Sequence, residues 1–93
     1  PKRTLDQMSP DEISQLTRKQ LEELTPNEWH FYNHNGRIHI KDESYNFRIR
    51  IDPPDMTTGY THIHFYNAKG EALDIWGNVV DKSDIFAHIP YSN

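Results

Sequence analysis

Histidine and arginine side chains alternate with apolar ones in two short runs of the sequence, residues 47–52 and 61–66. Alternation with a period of two is typical of a β-strand, whose successive side chains point to opposite faces. If the two strands pair, their polar side chains are expected to share one solvent-facing wall. These side chains are Arg48, Arg50, His62 and His64.

Imidazole and guanidinium groups on one wall could together cleave RNA without a metal. One imidazole can take the proton of the 2′-hydroxyl, and another can protonate the leaving 5′-oxygen. We therefore predict that His62 and His64 share the general base and general acid roles. Arg48 and Arg50 are expected to hold the phosphate, because guanidinium groups bind phosphate oxygens well. Further polar side chains on these and the neighbouring strands are expected to bind substrate, namely Arg37, His39, Lys41 and Tyr66.

Two other interpretations of the same residues stay open. His62 and His64 could bind a metal ion, with His88 or Asp74 completing a three-ligand site for a metal-dependent hydrolase. The chain could also be a non-catalytic binding or immunity module, in which the alternating polar residues are ordinary side chains of an exposed strand. The preferred interpretation requires no metal and no other cofactor.

A rigid acidic corner follows the first run, in the sequence Asp52-Pro53-Pro54-Asp55. Proline cannot donate to a strand ladder, so this corner is expected to end the strand. Asp52 is also in a position to orient a neighbouring histidine or arginine. His88 lies in an otherwise apolar stretch, where a histidine is more often a hydrogen-bonded core residue than a catalytic one.

Length and composition indicate one small domain spanning residues 1–93. Hydrophobic residues make up only 34% of the chain, but eleven aromatic residues (two Trp, five Tyr and four Phe) can bury much area each. The absence of cysteine excludes disulfides, thiol nucleophiles and thiolate metal sites. No apolar run approaches the roughly 20 residues of a membrane-spanning helix, so no membrane association is expected.

The net charge of −4 argues against a protein that binds nucleic acid over its whole surface. Residues 37–66, however, carry four Lys or Arg against four Asp or Glu, together with three of the six histidines. The acids of this segment cluster in turns and its bases lie on strands. A locally basic sheet face on an acidic protein is therefore expected, and such a face can steer an anionic substrate.

The element order predicts an α+β domain with one N-terminal helix packed on an antiparallel sheet of about five strands. Residues 1–8 are expected to form a frayed lead-in. Ser9-Pro10-Asp11-Glu12 is a strong helix start, and apolar residues at helical spacing extend the predicted helix over 9–24. The sheet is expected over 28–89, with a hairpin turn at Asn35-Gly36. Its individual segments are 28–33, 37–41, 45–52, 60–66, 71–75 and 85–89.

The helix is expected to cover the apolar face of the sheet, leaving the polar face for solvent or a ligand. The side chains expected beneath the helix are Ile38, Ile40, Phe47, Ile49, Ile51, Ile63 and Phe65.

Residues 45–90 resemble the C-terminal toxin modules of bacterial polymorphic toxins of the YD-repeat and contact-dependent-inhibition kinds. The resemblance rests on the run from Arg48 to Pro54, on His62-Ile63-His64, on Gly70, on Leu73-Asp74 with Gly77-Asn78, and on Ala87-His88-Ile89-Pro90. The order of one helix and five strands also resembles the barnase and colicin-type ribonucleases. These toxins are frequently basic, whereas this chain is acidic.

The resemblance implies a ribonuclease, often one that cleaves tRNA, with a dedicated immunity protein. It also implies secretion as part of a larger effector that acts in the target-cell cytoplasm, here as a monomeric domain. Carried over by position, the residues near the scissile phosphate would be His62, His64, Arg48, Arg50, His88 and Thr61.

Overall fold

The computed structural model describes residues 3–93, and two short helices precede its sheet. Helix α1 spans Pro10–Ser14 and helix α2 spans Arg18–Glu23. Between them Thr17 adopts an extended conformation, with ψ 164°, which cannot continue a helix. Its hydroxyl accepts a hydrogen bond from the backbone N–H of Gln20, at 3.1 Å, and so caps α2. The prediction of a single continuous helix was therefore wrong, because a second capping box restarts the helix.

The lead-in is more ordered than expected. Residues 1 and 2 lie outside the described part of the chain. Leu5–Gln7 form a short 3₁₀ helix, in which Leu5 is only 2% exposed. The backbone N–H of Leu5 donates to the carbonyl oxygen of Leu24, at 2.9 Å. The lead-in is thus tied to the core from Leu5 onward.

One antiparallel sheet follows the helices. Its strands are β1 (His30–His34), β2 (Arg37–Lys41), β3 (Phe47–Asp52), β4 (His62–Tyr66), β5 (Ala72–Leu73) and β6 (Ile89–Pro90). The first five strands pair in sequence order, and β6 pairs with β4. Asn35 and Gly36 form the predicted hairpin turn with φ values of 53° and 88°, which are typical of a type I′ turn.

The end of the chain returns to β4. A 3₁₀ turn at Ile85–Ala87 is followed by β6, which pairs with the first half of β4 while β5 pairs with the second half. Pairing continues past the predicted end of the segment at residue 89, since the N–H of Tyr91 still donates to the carbonyl oxygen of Thr61, at 2.9 Å. This return places the C-terminal segment directly beside the strand that carries His62 and His64.

The hydrophobic core lies between the helices and one face of the sheet. Ile13 and Leu21 of the helices are buried against it, as their spacing predicts. The apolar strand side chains that were expected beneath the helix are at most 3% exposed, except Phe47, which is not in the core. The buried strand residues are Ile38, Ile40, Ile49, Ile51, Ile63 and Phe65.

A β-bulge at the start of β3 reverses the expected directions of two side chains. Ile40 pairs with Ile49, but the next residue, Lys41, pairs with Phe47, so Arg48 is the extra residue. The Phe47 ring lies 4.6 Å from the Lys41 ammonium, on the polar face. Phe47 is therefore not part of the core, contrary to the prediction.

Arg48 consequently lies on the helix side of the sheet. Its guanidinium stacks over the Trp29 ring at 4.8 Å, and its Nε donates to the Tyr66 carbonyl oxygen at 3.0 Å. Its Nη1 is 3.6 Å from Oδ2 of buried Asp42. The expectation that Arg48 and Arg50 share one wall was wrong, because the bulge separates them.

The turn before β3 explains why the strand begins later than predicted. The Asp42 carboxylate accepts hydrogen bonds from the backbone N–H groups of Ser44 and Asn46, both at 3.0 Å. Tyr45 sits in the left-handed region with φ 63°, which a strand cannot contain. The backbone therefore becomes extended only from Phe47.

Replacing Arg48 by glutamine should destabilise the fold without touching the polar face. The change leaves the buried Asp42 carboxylate without its cation and removes a bond that links β3 to β4. We expect a loss of about 1–3 kcal/mol in the free energy of unfolding. Urea denaturation of the wild type and Arg48→Gln measures it. Lys69→Gln, at an exposed turn, serves as the control, and equal midpoints for all three proteins would contradict this role.

Candidate functional site

The register of the sheet aligns polar residues across the face that the helices leave uncovered. His39 of β2 pairs with Arg50 of β3, and Arg50 pairs with His64 of β4. Asp52 pairs with His62 in the same pair of strands. Arg50 thus stands beside the two histidines as predicted.

A third histidine completes the cluster. The 3₁₀ turn at Ile85–Ala87 presents His88 over β4, where its ring centroid lies 4.8 Å from that of His64 and 5.4 Å from that of His62. The centroids of His62 and His64 are 4.8 Å apart. Three imidazoles therefore form one group, which we call the histidine cluster (His62, His64 and His88).

The histidine cluster is not the solvent-facing wall that the alternation predicted. His62 is 1% exposed and His64 is 7% exposed, because β6 and the adjoining turn lie against β4. His88 is only half-buried. Substrate could therefore reach the cluster at His88 and at the exposed edge of His64, whereas His62 lies behind them.

Hydrogen bonds set the orientation of two rings. Nδ1 of His62 lies 2.9 Å from the Tyr60 carbonyl oxygen, and Nδ1 of His88 lies 2.9 Å from the Asp84 carbonyl oxygen. A carbonyl oxygen only accepts, so each Nδ1 carries the proton and donates. Nε2 is then the nitrogen that can exchange a proton in both rings.

Asp52 organises the cluster and its neighbouring cation. Its Oδ2 accepts a 2.6 Å hydrogen bond from Nη2 of Arg50, and lies 3.5 Å from Nε2 of His64 and 4.0 Å from Nε2 of His62. Burial acts to raise the pKa of Asp52, but the hydrogen bond and charge of Arg50 outweigh it and leave the pKa below its ordinary value. Asp52 is therefore ionised at neutral pH, in the orienting position that the sequence suggested.

His64 is neutral at neutral pH. Burial lowers its pKa to about 4, and the positive charge of Arg50 acts in the same direction, while Asp52 opposes the change. Burial also lowers the pKa of His39, with Arg50 again contributing. His64 can thus accept a proton without first losing one.

The low pKa of His64 makes stability depend on pH. In the unfolded chain this histidine binds a proton near pH 6.5, but in the fold only near 4, so its contribution is present above 6.5 and is lost as the pH falls toward 4. The loss has an upper limit of roughly 3 kcal/mol. Thermal unfolding of wild type and His64→Gln between pH 7 and 4 should show a shallower decline for the variant. His34→Gln, which removes an exposed histidine, should decline like the wild type, and three parallel curves would contradict the assignment.

A shallow depression of about 250 Å³ opens beside the cluster. Arg50, Tyr66 and Lys82 line it, together with Asn46 and Phe47. The Tyr66 ring stacks near that of His64 with centroids 6.2 Å apart, and burial raises the pKa of Tyr66. Among residues 3–93, Arg50 Nε is a buried donor with no hydrogen-bond partner. This depression is a suitable place for an anion.

The other predicted substrate-binding residues are divided between two places. His39 and Lys41 contact Phe47, at a centroid distance of 5.2 Å and a Nζ distance of 4.6 Å, on the face that carries Arg50. Arg37 and Thr61 instead line a separate groove at one end of the sheet. Sequence reasoning missed Lys82, because nothing in its local sequence indicates that its loop reaches β3.

The groups that could hold a metal ion differ from those predicted. Asp52, His62 and His64 offer ligand atoms that lie within 4.8 Å of one another, so Asp52 takes the third position for which His88 or Asp74 was expected. Asp74 was proposed as a ligand, but its Oδ1 accepts from the backbone N–H groups of Trp76 and Asn78 in a turn. Asp74 therefore has a structural role.

A family model described as PT7 toxin protein matches residues 16–93. The chain belongs to this toxin family. Membership supports the resemblance to polymorphic-toxin domains, and the match covers both α2 and the whole sheet of this PT7 toxin domain. No curated protein matches the chain. In the described part of the PT7 toxin domain, no helix has the length and apolar character that a membrane span requires.

Proposed function

We propose that the PT7 toxin domain is a metal-independent endoribonuclease, with tRNA as a candidate substrate. The observation that supports this best is the packing of His64 and His88, with ring centroids 4.8 Å apart, beside Arg50. Two imidazoles and a guanidinium are the groups that cleavage at the RNA 2′-hydroxyl requires. Toxicity would follow from loss of RNA in the target cell.

In the proposed reaction the 2′-oxygen attacks phosphorus and the bond from phosphorus to the 5′-oxygen breaks. Nδ1 of His64 takes the 2′-hydroxyl proton, because His64 is neutral at pH 7 and its Nε2 faces the ionised Asp52 carboxylate. Nε2 of His88, in its protonated form, gives a proton to the departing 5′-oxygen. The products are a 2′,3′-cyclic phosphate and a free 5′-hydroxyl. A bound phosphate would add negative charge and raise the pKa of His64 toward neutrality, which improves it as a base.

Arg50 would neutralise the phosphate as its charge increases. Its guanidinium is held by Asp52, while its Nε remains without a protein partner among the described residues. A guanidinium that is already held in one orientation costs little reorganisation when the transition state forms. Arg48 is not part of this proposal, because it lies on the helix side of the sheet.

His62 and Asp52 are positioning residues in this proposal. His62 is too deeply buried to touch a substrate, but its ring packs edge-on against His64 at 4.8 Å. Asp52 lies close to His64 and binds Arg50. The acid–base pair is thus His64 with His88, rather than His62 with His64 as the sequence suggested.

Incubating the purified domain with an oligoribonucleotide in EDTA tests the proposal. The DNA oligonucleotide of the same sequence is the matched control, since it lacks the nucleophilic 2′-hydroxyl. We expect cleavage of the RNA alone. Cleavage of both strands, or of neither at high protein concentration, would overturn the proposal.

A metal-dependent hydrolase is the second candidate, and the convergence of Asp52, His62 and His64 favours it. A carboxylate with two imidazoles suits Zn²⁺ or a similar transition metal, with further positions for water. Adding Zn²⁺ to the EDTA-treated, dialysed domain separates the two candidates. Activity that appears only with metal, and disappears again with chelator, would replace the first proposal by the second.

We further propose that the domain reaches target cells within a larger secreted effector and acts as a monomer in their cytoplasm. A cognate immunity protein would then protect the producing cell, as is common for toxin domains. A non-catalytic mode of action would instead leave toxicity intact when His64 is replaced. Growth after inducible expression in bacteria distinguishes these outcomes.

A further inference from the structure

A groove opens at one end of the sheet, next to Asp52. It has a volume of about 390 Å³, within the range of ligand sites, and sits where the β1–β2 turn meets the end of β3 and the start of β4. Its polar lining comes from four parts of the chain: Arg18, His34, Gly36, Arg37, Asp52 and Thr61.

The groove carries two arginines that no acidic side chain neutralises. In residues 3–93, neither Arg18 nor Arg37 has a carboxylate oxygen within 4.0 Å. Asp52 is the acid in the lining, and it is already paired with Arg50 at 2.6 Å. On a chain with a net charge of −4, this is a local excess of positive charge.

Arg18 is held in place before any ligand arrives. Its guanidinium donates to the carbonyl oxygen of Gly36 and lies 5.5 Å from the centre of the Tyr91 ring. These contacts fix one edge of the guanidinium and leave other N–H groups to donate. Arg37, by contrast, is exposed at the start of β2. A fixed arginine and an exposed one together suit an anion that enters from solvent.

Asp52 links the groove to the proposed cleavage site. Asp52 lines the groove and also touches the histidine cluster, and Thr61 directly precedes His62. The pairing register places the start of β2, the end of β3 and the start of β4 at the same end of the sheet. An RNA strand cut at the cluster could therefore lay its next phosphates along this groove.

We infer that this groove binds a backbone phosphate of the RNA strand on one side of the scissile phosphate, through Arg18 and Arg37. The inference rests on the proposed function, because it assigns a second contact with the same substrate. Recognition is by phosphate and not by base, since guanidinium groups and a backbone turn supply the donors.

Oligonucleotide binding in EDTA tests the inference with the cleavage-deficient His64→Ala domain as the background. Fluorescence anisotropy measures the affinity for a labelled RNA pentanucleotide. Adding Arg37→Gln should weaken binding about tenfold, the usual effect of one charge-assisted contact. The slope of log affinity against log salt should fall by about 0.7. Arg18→Gln should act in the same direction, with its melting temperature measured to confirm folding.

Lys19→Gln is the matched control, because it removes the neighbouring positive charge from the same helix outside the groove. We expect it to change the affinity less than twofold. Equal effects of Lys19→Gln and Arg37→Gln would overturn the inference. A groove that takes free phosphate alone would also overturn it. That case would show as binding of inorganic phosphate that Arg37→Gln abolishes, while the pentanucleotide affinity of the same variant stays unchanged.

The two proposals fail separately. If the pentanucleotide binds through Arg37 but the wild type cleaves no RNA, the groove stands and the ribonuclease proposal falls. If the wild type cleaves RNA and Arg37→Gln has no effect on binding, the reverse holds.

Discussion

Replacing His64 by alanine should reduce RNA cleavage by roughly 10²- to 10⁴-fold, the usual contribution of a general base. The expectation rests on the position of His64 between Arg50 and His88, and on a pKa of about 4 that keeps its ring neutral at pH 7. Initial rates on an oligoribonucleotide in EDTA measure the effect. The same variant should relieve growth arrest when it is expressed in bacteria.

His30→Gln is the control for this loss. His30 is also a strand histidine, but it stacks on Tyr45 with centroids 4.0 Å apart and makes no part of the histidine cluster. We expect it to retain the wild-type rate within about twofold, as usual for a substitution away from the site. If His64→Ala cleaves as fast as His30→Gln, or arrests growth as the wild type does, His64 is not the base.

Replacing Arg50 by glutamine should lower kcat by roughly 10²- to 10³-fold, as the loss of a single transition-state donor does elsewhere. Arg50 borders the depression beside His64, and its Nε has no partner among the described residues. Asp52 would also lose its hydrogen-bond donor, so the orientation of His64 should suffer as well. Steady-state kinetics with the oligoribonucleotide, after folding is confirmed by circular dichroism, measure the loss.

Arg48→Gln provides the comparison, since it removes the same kind of side chain two residues earlier on the same strand. Its cleavage rate per folded molecule should stay close to that of the wild type, while its stability falls. Arg50→Gln should show the opposite pattern. If the two variants lose activity to the same degree, the separation of the arginines by the bulge has no functional meaning.

Local patterns predicted the sheet better than they predicted the site. Alternation in β3 and β4 gave the strands and their apolar face, and Asn35-Gly36 gave the first hairpin. The break between the helices also has a local signal that the prediction of one helix overlooked, because Thr17 and Gln20 repeat the capping-box spacing.

The missed features depend on contacts between distant parts of the chain. The bulge at Arg48 arises from the register between β2 and β3. The alternating sequence around Phe47 does not indicate by itself which face of the sheet the Phe47 side chain lies on. The sequence indicated a final sheet element over 85–89, and the resemblance included His88 in the site. It did not indicate that β6 returns to pair with β4, because that closure has no local signal. Burial of His62 and His64 follows from this closure.

The end groups of the cleaved RNA test the central claim most directly. Mass spectrometry of an oligoribonucleotide treated with the wild-type domain in EDTA should find a 2′,3′-cyclic phosphate on one fragment and a 5′-hydroxyl on the other. These groups arise only if the 2′-oxygen is the nucleophile, as the arrangement of His64, His88 and Arg50 requires. A 5′-phosphate on the downstream fragment, or fragments that form only after metal is added, would contradict the account.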